Sequence, residues 1–298
     1  MAKKRDIIIA IIIAATFFMT IGFFGLMFIG LMSEDGDIGW GGFGPKVAIV
    51  EVFDGIYDSE PIIRQLKKWG KSKSVSAIVL HVNSPGGGIA PSQEIYNEIL
   101  RVRKDEGKVV VTSMSSVAAS GGYYISCASD MIMANPGTIT GSIGVILSYP
   151  TAGELFEKVG VRYQTVKSGE LKDVGAVDRN MTANERKMLS AMVMDSYEQF
   201  VEAIVAGRGM DKDEVYKLAD GSIFSGRQAY NYGLIDTLGG FEDAVRLAAE
   251  LAGISGKPQT VKDFVPRKGF FDLLGGLLRN VGRASSTGSL GPEILYLY

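Results

Sequence analysis

Between Ile7 and Met32 the chain carries no charged residue, and this run divides the sequence into parts suited to different solvents. A helix over it, at about 1.5 Å per residue, exceeds the ~30 Å hydrocarbon core of a bilayer, so the run fits a tilted membrane anchor. Lys3, Lys4 and Arg5 precede it, while Glu34, Asp35 and Asp37 follow. The positive-inside bias then keeps the amino terminus in the cytoplasm and places the remainder outside the cell membrane. A cleaved signal peptide is the competing reading. Its apolar region is typically ~7–15 residues and ends in a small-x-small site, whereas this run is longer and closes on Ile-Gly-Leu-Met-Ser-Glu.

Beyond the anchor (1–32) a glycine-rich linker (33–45) leads to one globular domain (46–260) and a carboxyl-terminal segment (261–298). Within the domain, short β-branched runs alternate with amphipathic stretches. Strands are expected at Val47–Val52, Val75–Val82, Val109–Thr112, Met131–Ala134, Thr138–Leu147 and Val161–Val166. Helices are expected at Ile62–Trp69, Pro91–Lys104, Leu155–Val159, Asp211–Leu218, Gly226–Tyr232 and Glu242–Leu251. A longer helix runs from Ala183 to about Ala206, with Thr182 and Glu185 in capping-box spacing. Such alternation predicts an α/β fold with buried, largely parallel strands. In the last segment Phe270, Phe271, Leu273, Leu274, Leu277 and Leu278 form an apolar stripe, and the sequence closes on Ile-Leu-Tyr-Leu-Tyr. That apolar ending after a polar stretch fits docking on the protein or in a groove, while a membrane-surface helix is the other reading of the Phe-Leu stripe.

Composition removes whole classes of chemistry. His81 is the single histidine and Cys127 the single cysteine, so zinc sites built on several of these ligands and intramolecular disulfides are excluded. A net charge of -2 leaves no basic footprint for nucleic acid. No metal or cofactor is expected. His81 lies in an apolar strand and reads as a core residue, as does Cys127, which has no cationic neighbour in sequence.

Three segments can carry chemistry. Asn83-Ser84-Pro85-Gly86-Gly87-Gly88 follows an apolar strand and precedes a helix. Its glycines can expose backbone N–H groups to an oxyanion, although a phosphate cradle or a plain turn fits the same letters. Ser120, in Ala118-Ala119-Ser120-Gly121-Gly122, stands where a strand leads into a helix; it is a candidate nucleophile or a simple cap. Lys172, in Ser168-Gly169-Glu170-Leu171-Lys172-Asp173, is either a solvated lysine or a base for a serine hydroxyl.

Together these segments resemble the signal peptide peptidase A family of membrane-bound Ser-Lys peptidases, over about residues 46 to 260. Thr140-Gly141-Ser142-Ile143-Gly144-Val145 and Phe224-Ser225-Gly226-Arg227-Gln228-Ala229 extend the match in the family's order. The resemblance implies Ser120 as nucleophile, Lys172 as general base, Ser142 as the hydroxyl orienting that lysine, and Gly87 and Gly121 as oxyanion-hole amides. It further implies the Clp protease/crotonase-like spiral of strand-strand-helix units, in a short single-repeat form. The implied assembly is a ring-shaped homo-oligomer whose sites take serine and lysine from neighbouring subunits, and the implied substrates are apolar signal peptide remnants. A crotonase-type acyl-CoA enzyme shares fold and oxyanion hole, but CoA thioesters are cytoplasmic. A non-catalytic membrane scaffold is the other alternative.

Overall fold

Along the strand Val75–Ser84 successive side chains enter two different cores, and this period of two sets the architecture. The computed structural model describes residues 15–24, 44–263 and, for the backbone, 293–296. Strands β1 (Lys46–Phe53) and β2 (Val75–Ser84) pair in parallel, joined by helix α1 (Glu60–Lys71). After a two-residue strand β3 (Gly87–Gly88), helix α2 (Ile89–Asp105) returns the chain to β4 (Val109–Ala119), which pairs in parallel with β2. Helix α3 (Gly121–Ser126) then leads to β5 (Met131–Ala134) and β6 (Ile139–Gly141), and both lie parallel to β4 along successive stretches.

Strand β7 (Ile146–Ser148) and helix α4 (Gly153–Lys158) precede the long helix α5 (Ala183–Arg208). Helices α6 (Lys212–Leu218) and α7 (Gly226–Asn231) flank β8 (Ile223–Ser225), which pairs antiparallel with β6. β9 (Thr237–Leu238), α8 (Phe241–Leu251) and β10 (Gln259–Lys262) complete the larger sheet, whose order is β10-β1-β2-β4-β5-β9 with β6 and β8 branching from β4. A second, smaller sheet places β11 (Glu293–Tyr296) between β3 and β7, antiparallel to both.

The strand period explains the layers. Ile78, Leu80 and Val82 join Leu66, Ile95, Ile99, Tyr123, Phe200 and Ile204 in the core beneath α1, α2, α3 and α5. Ala77 and Val79 face Ala244, Val245 and Ala248 of α8 on the other side. Each large apolar side chain so buried contributes about 1.5–3 kcal/mol, and burial on both faces is why the parallel strands read as unbroken apolar runs.

Most expected elements form, including the Thr182–Glu185 capping box at the start of α5. Three expectations need correction. Val161–Val166 forms no strand; it is exposed, and β-branched residues do not make a strand without an edge and a core to pack on. Thr138–Leu147 is two short strands, because Ser142 takes a positive φ of 48° and breaks the run. The strand begun at Val109 continues to Ala119, well past Thr112.

The run Ile7–Met32 lies largely outside the described residues. Residues 15–24 are helical, and among the described residues no helix is long and apolar enough to cross a membrane. The Phe270–Leu278 stripe is also outside them. The boundary at 260 falls inside β10, and β11 belongs to the domain's own sheet system.

Candidate active site

The carboxyl ends of β1, β2 and β4 converge on one place, where crevices form in parallel α/β sheets. The register of β2 on β4 slips between Val82 and Ser84, and Asn83 Oδ1 fills the gap by accepting the Val117 N–H at 3.2 Å. Beyond the slip the chain turns at Pro85 and Gly86 into β3. There Ile56 donates its N–H to Gly86 O and accepts from Gly88 N, each at 2.8 Å, forming a parallel bridge to Gly87. In that pattern the N–H and C=O of Gly87 point away from Ile56, to the side on which Tyr296 of β11 is paired. Position 87 admits no side chain, since a Cβ there would lie 2.2 Å from Ile56 O.

Ser120 occupies the bend between β4 and α3. Its φ of 52° and ψ of -117° form a conformation that only glycine adopts freely. Two hydrogen bonds hold it: Ser120 N–H donates to Gly141 O and Ser120 O accepts from Tyr124 N, both at 2.8 Å. The side chain is fully buried, and its Oγ has no hydrogen-bond partner among the described residues. Buried hydroxyls are normally satisfied, so a strained, unpartnered serine is not explained by a helix cap and is a candidate reactive group. The capping alternative fails directly, because Ser120 makes no side-chain cap hydrogen bond.

Gly121 opens α3, so its N–H has no acceptor within that helix. A Cβ at Gly121 would lie 3.3 Å from Gly87 N and 2.7 Å from Ser92 Oγ, which sets the two expected oxyanion-hole residues side by side next to Ser120. Ser142 is also brought in. Ala119 and Gly141 are register partners, so Ser120 and Ser142 each follow one member of a paired couple. Both have positive φ and both are buried. Strand β8 braces this arrangement, with Ser142 N–H donating to Ser222 O at 2.8 Å.

Lys172 is not brought to Ser120 within one chain. It sits exposed on a 3₁₀ turn (Glu170–Asp173), and no hydrogen bond joins it to the Ser120 hydroxyl. His81 is no substitute. It lies between Phe53, which meets it edge-on at a ring separation of 5.2 Å, and Phe241, tilted at 4.5 Å, on the α8 side of the sheet. Burial lowers its pKa, with Glu51 opposing that shift. Cys127 is buried at the carboxyl end of α3, and desolvation pushes its thiol up to about 12. Sequence reasoning did not foresee β3 or the pairing of β11 with it, since two glycines and four residues carry no readable period.

A sequence profile described as Peptidase family S49 matches residues 102–255, and one described as Clp protease matches residues 48–138. The chain belongs to peptidase family S49. It is 43% identical over 211 residues to a candidate protease of Synechocystis, covering 70% of this chain and 75% of that one. A candidate protease of Methanocaldococcus jannaschii is 32% identical over 305 residues, covering 98% of this chain and 96% of its own. A candidate signal peptide peptidase SppA of Enterococcus faecium is 44% identical over 189 residues, 63% of this chain but only 55% of that protein. Family and relatives together make the chain a serine peptidase.

Proposed function

We propose that this S49 peptidase is a membrane-anchored endopeptidase in which Ser120 is the nucleophile and Lys172, from a neighbouring copy, the general base. Extended apolar peptides of the signal-peptide kind are its substrates, as the name of the Enterococcus relative also indicates for that protein. The observation that carries the reading is β11. A segment of the chain itself lies extended between β3 and β7, with Tyr296 opposite Gly87 and Leu295 opposite both Gly88 and Ile146. A groove that accepts a strand by backbone pairing, beside a strained serine, suits a peptide substrate better than a thioester.

In the reaction, Lys172 acts as general base and takes the proton from Ser120 Oγ as the Oγ–carbon bond forms at the scissile carbonyl. The amides of Gly87 and Gly121 receive the oxyanion, and Ser142 orients the lysine. The lysine then protonates the leaving amine as the C–N bond breaks. It next deprotonates the water that hydrolyses the acyl-enzyme.

A ring assembly is supported by the stretch leading to Lys172, which exposes Leu155, Val159, Val161, Tyr163 and Val166 in a single chain. So much exposed apolar surface on one stretch fits burial against a second copy. The parallel β1–α1–β2 and β2–α2–β4 crossovers fit the strand-strand-helix spiral. Anchoring and an extracytoplasmic site rest on the uncharged run and its flanking charges.

A fluorescent fluorophosphonate tests the nucleophile. It is expected to label Ser120, and to label it several-fold faster once residues 291–298 are removed and the groove is vacated. Modification of a different residue, or none in the shortened chain, would overturn the assignment.

A further inference from the structure

The turn that carries Lys172 is fastened at both ends. At one end Lys167 Nζ donates to Glu170 O at 2.9 Å, and Asn184 Nδ2 donates to Glu170 Oε1 at 2.9 Å. At the other end the Asp173 carboxylate receives Lys167 Nζ at 2.7 Å and Arg179 at 3.0 Å, and Arg179 also reaches Asp173 O at 3.3 Å. The same guanidinium makes a two-pronged contact with Glu185, at 2.5 Å and 2.9 Å. Glu185 is 1% exposed and is itself fixed, because it closes the capping box by accepting the Thr182 N–H at 2.7 Å. Lys172 stands in the middle of this set and belongs to none of it: among the described residues its ammonium makes no ion pair.

The geometry points to Arg179 as a positioning residue for Lys172, tying the lysine-bearing turn to the first turn of α5. This deepens the proposed mechanism and rests on Lys172 being the general base. The physical case is one of orientation. A lysine that must meet a serine on another copy has a long side chain, and a backbone anchor free to wander would multiply its error. A misplacement of about 1 Å can cost on the order of 10²-fold in rate. An isolated exposed ion pair would be a poor anchor, being worth little against side-chain entropy. This network differs because one carboxylate is buried and the guanidinium binds it with two prongs, a geometry lysine cannot reproduce. The Arg179 contact holds the Glu185 carboxyl down to about 2, and Lys167 with Arg179 lowers that of Asp173. Both therefore stay charged through the neutral range and the clamp does not release there.

The test uses the purified full chain and a fluorogenic peptide with apolar residues flanking the cleaved amide. Arg179→Met is expected to lower kcat by about 10–10²-fold with KM near wild type, and to lower the melting temperature as well, because the buried Glu185 carboxylate loses its partner. Arg179→Lys should recover only part of the loss. Asp173→Asn, which leaves the Arg179–Glu185 contact intact, supplies a second variant should Arg179→Met fold poorly; it too is expected to lose kcat and not KM. Lys172→Ala separates the two ideas. If it is inactive while folded Arg179→Met and Asp173→Asn keep wild-type kcat, the clamp is wrong and the base assignment stands. If Lys172→Ala keeps its activity, the base assignment falls and the positioning role with it.

Discussion

Replacing Ser120 by alanine is expected to lower peptidase activity by on the order of 10⁴–10⁶-fold, with the fold retained. The size follows from the loss of the covalent step, leaving only oxyanion stabilisation and binding. Ser120→Gly is expected to be equally inactive, and the stability of the two variants should differ. The native backbone at Ser120, with φ 52° and ψ -117°, costs a residue with a side chain about 1–3 kcal/mol. Alanine keeps that strain, whereas glycine relieves it at the expense of about 0.5–1 kcal/mol of extra freedom in the unfolded chain. Denaturant titration should therefore find Ser120→Gly at least as stable as Ser120→Ala. A glycine variant markedly less stable than the alanine one would mean that the bend is not strained and that the buried, unpartnered hydroxyl has another origin.

Much of this was legible in the sequence, and the reason is physical. Buried parallel strands leave continuous apolar runs, so Val75–Val82 and Met131–Ala134 were readable almost to their ends. Thr182 and Glu185 announced the start of α5 because a capping box is a local device. The site residues were harder. Nothing local says that Ser120 is strained; the strain is imposed by Gly141 O and Tyr124 N, which come from the neighbouring strand β6 and the next helix turn. The Gly87–Gly121 juxtaposition depends on α3 packing against the β2–β3 turn, a contact between distant segments. Val161–Val166 misled because β-propensity reports fitness for a half-buried pleated surface, and none is offered to it in one chain. The Phe224–Ala229 motif, read locally only as the start of a helix, forms the β8–α7 corner and pairs with β6, the strand that leads into Ser142.

Lys172→Ala is expected to be as inactive as Ser120→Ala, and the two inactive proteins together are expected to recover activity. Among the described residues of one chain the serine hydroxyl is buried without a hydrogen-bond partner, and the lysine is exposed on its turn without an ion pair. If copies complete each other, an assembly containing both variants has some interfaces that pair an intact serine with an intact lysine. For random mixing of equal amounts, about one site in four is then complete, so the recovered rate should approach a quarter of wild type when each site works independently. Co-expression with two affinity tags, followed by sequential capture, isolates the mixed assemblies and removes any dependence on slow subunit exchange. Lys172→Arg alone is expected to be as inactive as Lys172→Ala, because a guanidinium does not give up its proton, and to complement Ser120→Ala in the same way, since it still carries an intact serine. Verified mixed assemblies with no activity at any ratio would place serine and base in one chain. The turn bearing Lys172 would then have to swing onto its own Ser120, and the contacts from Arg179 and Asn184 that fasten it to α5 would have to break for catalysis rather than serve it.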